Sequence, residues 1–206
     1  MKGAMIKMLI NDFVSSSSSI IFEHEIKIDV NDKNLFKQLT DHNVVGAFNL
    51  VIDKYYDFNS NELLVSDEVL RIRQINDTYF LAYKGKRSIT ENIIEREEYE
   101  VSVNNESIYT IVQRFFSLRD VVEKKRAIIL DEKFPNLTIY CDVYPFIGCY
   151  IEVEGNQELI RQYVNHHNIP HLSLEKRNCT EIFIDYCEKK SINFDNVRCA
   201  FKFSNE

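Results

Sequence analysis

The chain of 206 residues contains few of the residues that form tight turns: five glycines and three prolines. Two-residue hairpins depend on glycine, so few of them are expected. The five cysteines are odd in number and include no Cys-x-x-Cys pair. This argues against a disulfide framework and against a zinc knuckle, and it favours a reducing, cytoplasmic setting.

Long apolar runs and an excess of positive charge are also missing. No apolar run reaches the ~18 residues of a membrane-spanning helix, so no membrane association is predicted. The formal net charge is −7, from 25 Lys and Arg against 32 Asp and Glu. This balance argues against a surface built for extended nucleic acid. A content of 45% hydrophobic and 28% charged residues is typical of an ordinary globular chain.

The order of the sequence patterns predicts strands first and most helices later. Residues 1–19 end in a run of five serines without apolar periodicity, and we interpret them as a flexible leader. Residues 20–206 are predicted to form a single domain whose C-terminal part, from about residue 156, is helical. The architecture favoured is an α+β fold in which an antiparallel sheet or barrel carries helices outside. Strands are predicted within residues 20–30, 49–58, 69–75, 78–85, 95–103, 121–130, 137–144 and 149–155, and helices within 31–42, 105–116, 156–167 and 180–190.

Charged residues alternate along several of the predicted strands. Because successive side chains of a strand point to opposite faces, Glu23, Glu25 and Lys27 share one face, and mainly apolar residues occupy the other. A solvated face is the ordinary explanation for one such strand. Recurrence on five strands weakens that explanation, and if the sheet closes into a barrel, the charged faces converge inside it. The set comprises seven acids (Glu23, Glu25, Glu98, Glu100, Asp142, Glu152, Glu154) and seven bases (Lys27, Arg71, Arg73, Lys84, Arg96, Lys124, Arg126).

Such an interior is costly unless the opposite charges pair or bind ions. Clustered carboxylates without His or Cys partners suit hard cations such as Mg²⁺ or Mn²⁺. Clustered Arg and Lys side chains bind phosphate groups, Arg through a bidentate fork and Lys as a point charge. Together they predict a site for a metal ion and a polyphosphate.

The order of these motifs resembles the CYTH superfamily, also called triphosphate tunnel metalloenzymes. The superfamily includes class IV adenylate cyclases, thiamine triphosphatases and inorganic triphosphatases. The resemblance covers residues from about 21 to 155, and Phe116-Ser117 departs from it where the family often has Gly-Phe. The matching segments are Glu-x-Glu-x-Lys at 23–27, DKYYD at 53–57, LRIR at 70–73, Tyr-Lys-Gly at 83–85, Arg-x-Glu-x-Glu at 96–100, Lys-x-Arg at 124–126, Asp142, and IGCYIEVE at 147–154.

The resemblance implies an eight-stranded antiparallel tunnel and a role for each charged residue. Glu98 and Glu100 are expected to orient the attacking water or to hold a second ion, and Arg96 could pair with acids instead of binding phosphate. The substrate-binding residues implied are Lys27, Arg71, Arg73, Lys84, Arg96, Lys124 and Arg126. The metal ligands implied for Mg²⁺ or Mn²⁺ are Glu23, Glu25, Asp142, Glu152 and Glu154.

The activity implied is hydrolysis of a small triphosphate such as tripolyphosphate, thiamine triphosphate or ATP. A class IV-like adenylate cyclase, which makes cyclic AMP and pyrophosphate from ATP, is the first alternative. A non-catalytic module that binds nucleotides or polyphosphate is the second. The C-terminal helices are expected either to cap one tunnel mouth or to cover apolar sheet, and covering is favoured because outward apolar faces must be buried.

Overall fold

A computed structural model describes residues 21–40, 44–103 and 105–203, so the predicted leader lies outside the described residues. The strands are β1 (Ile21–Asp29), β2 (Val44–Asp57), β3 (Val69–Ile75), β4 (Thr78–Lys84), β5 (Ser88–Thr90), β6 (Ile93–Val103), β7 (Ser117–Ile129), β8 (Thr138–Tyr144), β9 (Gly148–Glu154) and β10 (Leu174–Glu175). The helices are α1 (Lys33–Thr40), α2 (Glu62–Val65), α3 (Ser107–Gln113), α4 (Gln157–His166) and α5 (Cys179–Lys189).

Eight antiparallel strands close into a barrel. Their order is β1, β9, β8, β7, β2, β3, β4, β6, and β6 then pairs back with β1. The two short strands β5 and β10 lie beside β6 and β1 respectively. The predicted α+β fold, an eight-stranded antiparallel barrel with helices outside, is confirmed. Strands β5 and β10 and helix α2 were not predicted, because two to four residues are too few to show a period.

Helix α4 covers part of the outer face of the barrel. Ile26 and Ile28, which alternate with the charged residues of β1, pack in one buried cluster with Ile160 and Tyr163 of α4. The helix begins after Asn156, whose side chain accepts hydrogen bonds from two backbone N–H groups of the first turn. The covering role predicted for the C-terminal helices is therefore confirmed for α4.

Helix α5 packs across one end of the barrel instead. Its Ile182 and Phe183 join a buried cluster with Val122 and Tyr144, which lie on the same strand faces as the charged residues. The Phe183 ring also stacks on Phe201, with centroids 4.1 Å apart. The prediction that this helix covers outer sheet is wrong, because the inward faces of β7, β8 and β9 become apolar at this end and accept its apolar side.

None of the helices within the described residues is long and apolar enough to cross a membrane.

Asp57 fixes the short helix α2 to the end of β2. Its carboxylate is 1% exposed and accepts hydrogen bonds from the backbone N–H groups of Phe58, Leu63 and Leu64 at 2.7, 3.0 and 2.9 Å. Replacement of Asp57 by Ala removes all three hydrogen bonds, so we expect a loss of about 2 kcal/mol in the free energy of unfolding. Urea denaturation would measure this loss. The exposed Asp77→Ala is the control, and equal stability of the two variants would contradict the capping role.

Candidate functional site

Strand register brings the charged faces together inside the barrel. Directly opposite pairs include Glu23 with Arg96 and Arg126 with Asp142. A cavity of about 530 Å³ lies in this interior, which we call the lumen. Its wall contains eight bases (Lys27, Arg71, Arg73, Lys84, Arg87, Arg96, Lys124, Arg126) and seven acids (Glu23, Glu25, Asp53, Glu98, Glu100, Glu152, Glu154).

Three carboxylates form a separate group, the carboxylate trio of Glu23, Glu25 and Glu154. One oxygen from each lies within 4.8 Å of the others. Burial, together with repulsion from Glu23, Glu152 and Glu25, raises the pKa of Glu154 to about 8. Glu154 forms no ion pair with any residue that the structure describes. Glu23 and Glu25 have basic partners, so Glu154 is the member of the trio whose charge would be left uncompensated. The all-oxygen donor set of the trio fits Mg²⁺ or Mn²⁺.

The other two predicted metal ligands lie among the bases. Asp142 is fully buried, and its oxygens accept hydrogen bonds from Lys124 Nζ at 2.6 Å and from Arg126 Nε and Nη2 at 2.6 and 2.5 Å. Glu152 also accepts a hydrogen bond from Arg126. Burial would raise the pKa of Glu152, but Lys124 and Arg126, with a smaller effect of Lys27, hold that pKa well below its usual range. Both acids are thus hydrogen-bonded partners of bases, and their role as metal ligands stays a prediction.

Lys84 connects the trio to the predicted catalytic pair. Its Nζ lies 2.8 Å from an oxygen of Glu23 and 2.8 Å from an oxygen of Glu98. Burial would raise the pKa of Glu98, but the nearby charge of Lys84 dominates among the effects that lower it below its usual value. Glu98 is therefore ionised at neutral pH. Its neighbour on the same face, Glu100, is more exposed and accepts a hydrogen bond from Arg71 at 3.1 Å.

Arg96 lies beside the trio. Its Nε is 3.5 Å from Glu23 and its Nη2 is 3.6 Å from Glu25. The sequence left open whether Arg96 binds phosphate or pairs with acids. The structure places it where it pairs with acids, at one side of the cavity.

Arg71 has an unused donor in the lumen. The side chain is 7% exposed, yet its Nε has no hydrogen-bond partner among the described residues, and the nearest Asp53 oxygen is 3.8 Å away. A buried N–H without a partner costs free energy. An anion in the cavity would supply the missing acceptor.

Sequence reasoning missed Asp53 as a site residue. Its carboxylate binds Arg73 through two hydrogen bonds of 2.7 and 2.9 Å and is 2% exposed. Burial would raise the pKa of Asp53, but Arg73 and Arg71 lower it far below the usual range. The sequence did contain a signal for Asp53. This residue begins the DKYYD segment, and it shares the inward face of β2 with Tyr55, two residues further on. Arg87 was missed as well, since it follows β4 in a loop and belongs to no alternating pattern.

Residues 22–165 match the sequence model of the CYTH domain. The chain belongs to the CYTH domain family. Members of this family are triphosphatases or cyclase-like enzymes that use divalent metal ions. No curated protein sequence matches this chain.

Solved structures share the CYTH fold. The PH1819 protein from Pyrococcus horikoshii OT3 is 24% identical, with a TM-score of 0.66 over 79% of this chain and 98% of that chain. A Vibrio parahaemolyticus protein described as a candidate adenylate cyclase is 17% identical, with a TM-score of 0.65 over 81% and 99%. HpAC1 from Hippeastrum, described as a candidate adenylyl cyclase with dominant triphosphatase activity, is 16% identical, with a TM-score of 0.56 over 84% and 96%. At these identities the likeness shows the fold.

Proposed function

We propose that this CYTH protein hydrolyses a small triphosphate compound in its lumen, with Mg²⁺ or Mn²⁺ as cofactor. One observation carries the proposal: the same cavity is lined by the carboxylate trio, in which Glu154 has no basic partner among the described residues, and by Arg71, whose buried Nε has no acceptor. A bound cation would compensate the charge of the first, and a phosphate oxygen would offer an acceptor to the second. A metal polyphosphate supplies both.

The bases of the lumen would bind the phosphate oxygens. A cavity of about 530 Å³ falls within the ~300–1,000 Å³ that is usual for small-molecule sites. Arg73 and Arg126 are each fixed by two hydrogen bonds to one carboxylate, so their remaining N–H groups keep a fixed direction. Preorganised positive charge of this kind stabilises the negative charge that builds up on a leaving diphosphate. The residues assigned to the phosphates are Lys27, Arg71, Arg73, Lys84, Lys124 and Arg126, with Arg96 beside the trio.

The carboxylate trio of Glu23, Glu25 and Glu154 would hold the divalent ion. When bound, the ion neutralises phosphate charge and polarises the bond to the leaving group. Lys84 and Arg96 contact the same carboxylates, and they limit how far Glu23 can turn from the cavity. These contacts would preorganise the trio for binding of the ion.

Glu98 would orient the attacking water. Because its pKa is lowered, it stays ionised and accepts a hydrogen bond instead of supplying a proton. Lys84 holds one Glu98 oxygen at 2.8 Å, and Arg71 Nη2 lies 3.8 Å from the other, which is beyond hydrogen-bond distance and leaves that oxygen able to accept from water. Glu100, next on the same face, would support the water from the more exposed side.

The test is incubation of the purified protein with Mg²⁺ or Mn²⁺ and, separately, tripolyphosphate, thiamine triphosphate and ATP. We expect orthophosphate and pyrophosphate from tripolyphosphate. Chelation of the metal by EDTA should lower the rate at least ~100-fold, because a bound ion contributes several kcal/mol to charge stabilisation.

Two other results would each replace the proposal. Cyclic AMP and pyrophosphate from ATP would show an adenylate cyclase. Tight binding of a triphosphate without any product would show a binding module. Orthophosphate release that is unchanged by EDTA would contradict the metal assignment.

A further inference from the structure

Arg87 joins two parts of the chain that are distant in sequence. Its guanidinium binds Asp67, which precedes β3, through Nε at 2.9 and 3.0 Å and through Nη2 at 2.8 Å. The same group binds Glu181, in the first turn of α5, at 3.1 and 3.0 Å. The side chain of Arg87 is 14% exposed. We call Asp67, Arg87 and Glu181 the clasp, and it attaches the start of α5 to the barrel.

The clasp fixes the short segment 176–178 that leads into α5. Glu181 also accepts a hydrogen bond from the backbone N–H of Asn178 at 2.6 Å, and Asn178 caps the helix in return. On the other side, Nη1 of Arg87 lies 3.5 Å from the carbonyl oxygen of Lys176. Arg177 lies between these two attachments.

This segment contacts Lys27 in the lumen. The Nζ of Lys27 donates a hydrogen bond to the backbone carbonyl of Arg177 at 3.3 Å, and it lies 3.6 Å from Glu152. Lys27 is 5% exposed, so these two contacts, on opposite elements, decide where its ammonium points. A lysine ammonium is a point charge on a flexible stem, and it needs such contacts to keep one position.

We propose that the clasp, through Arg87, is a positioning device for Lys27. By fixing the segment 176–178, it holds the Arg177 carbonyl against Lys27 and directs the ammonium into the lumen. Arg87 suits this task, because its planar fork binds two carboxylates at once with a fixed geometry. The effect on turnover rests on the proposed function, in which Lys27 binds phosphate, whereas the effect on the position of Lys27 does not.

The variant that tests the clasp is Glu181→Gln. Glutamine retains the acceptor for the Asn178 N–H, so the helix cap survives, while the charge that binds Arg87 is lost. We expect kcat/KM for tripolyphosphate to fall ~10-fold in Glu181→Gln, mainly through a higher KM. When Lys27 is already replaced by Met, adding Glu181→Gln should lower kcat/KM by less than a further ~2-fold, because two changes that act through one contact are not additive. Glu188→Gln, the same change at an exposed position of the same helix, is the matched control and should keep full activity.

A second readout does not depend on turnover. In the ligand-free protein, reductive methylation followed by peptide mass spectrometry measures how fast Lys27 reacts. We expect faster labelling of Lys27 in Glu181→Gln and an unchanged rate in Glu188→Gln. Unchanged labelling in both would overturn the clasp, whatever the activity.

The two proposals fail separately. Faster labelling in a protein that turns over no triphosphate would support the clasp and contradict the proposed function. Arg87 also lines the cavity and could contact a ligand directly. If Arg87→Lys loses activity while Glu181→Gln retains activity and labelling, Arg87 acts on the ligand itself and the clasp is overturned.

Discussion

Replacement of Glu154 by glutamine is expected to stabilise the metal-free protein and to abolish its turnover. The carboxylate faces Glu23 and Glu25 in a buried setting, and its pKa is raised to about 8. Removal of its charge relieves the repulsion within the trio. The same change removes one of three oxygen ligands proposed for the metal, so we expect kcat/KM to fall at least ~100-fold.

The pH dependence gives the sign of the stability effect. In the unfolded chain this carboxyl titrates near the ordinary glutamate pKa of 4.5, and in the folded chain its pKa is about 8. Below pH 4.5 it is protonated in both states and costs nothing. Between pH 4.5 and about pH 8 the carboxyl is ionised in the unfolded chain and still mostly protonated in the folded chain. Ionisation therefore favours the unfolded state, and the unfolding free energy of the wild type falls as the pH rises toward 8. Above about pH 8 this loss of stability stays constant. At pH 7 this loss of stability is on the order of 3 kcal/mol, and Glu154→Gln removes it.

Urea denaturation in EDTA between about pH 5 and pH 9 would measure this difference. The matched control is Glu97→Gln on the outer face of β6, for which we expect no such difference. Added Mg²⁺ should stabilise the wild type and leave Glu154→Gln nearly unchanged, since only an ion bound to the folded state raises stability. A variant that is less stable than the wild type at about pH 8 would refute the repulsion within the trio.

Replacement of Asp142 by asparagine is expected to cost about 3–5 kcal/mol of unfolding free energy at neutral pH. Asp142 is fully buried and compensates the charges of both Lys124 and Arg126. An amide provides one acceptor and no charge, so two buried cations would be left with Glu152 as their shared partner. The loss should reduce the amount of folded protein as well as activity.

Part of this loss should be recovered at alkaline pH. Burial and the charge of Arg126 already lower the pKa of Lys124, even though Asp142 and Glu152 act to raise it. Without Asp142 the pKa of Lys124 falls further, and at high pH the lysine becomes neutral and less costly to bury. Denaturation at about pH 7 and pH 9, with the exposed Asp195→Asn as control, would test both effects. A loss below about 1 kcal/mol at neutral pH would show that the ion pairs do not stabilise the fold.

The alternation of charge along the strands predicted most of the residues that line the lumen, and the family resemblance supplied the eight-stranded closure. Glu23 and Glu25 on β1 and Glu154 on β9 are far apart in sequence, and closure of the sheet brings them together. The alternation of charged residues along a strand shows which face of the sheet a side chain occupies. It does not show how far along the lumen that side chain lies or which residue it contacts. For that reason it did not separate Glu154, which faces other acids, from Asp142, which binds bases.

The contacts of the loops and the position of the C-terminal helix α5 could not be predicted from the pattern of the strands. Arg87 lies in a loop, and its partners Asp67 and Glu181 come from elements that meet only in the folded chain. The position of α5 depends on apolar residues such as Val122 and Tyr144, which end the charged faces. Each of these looked like an ordinary core residue in its own strand.

Helix α5 and Phe201 pack across one end of the barrel. Under the proposed function, a triphosphate would therefore enter from the opposite end with its terminal phosphate first, and whatever is attached behind the phosphates would stay at the mouth. Such a lumen would select for the phosphate chain of a molecule and not for the group attached to it.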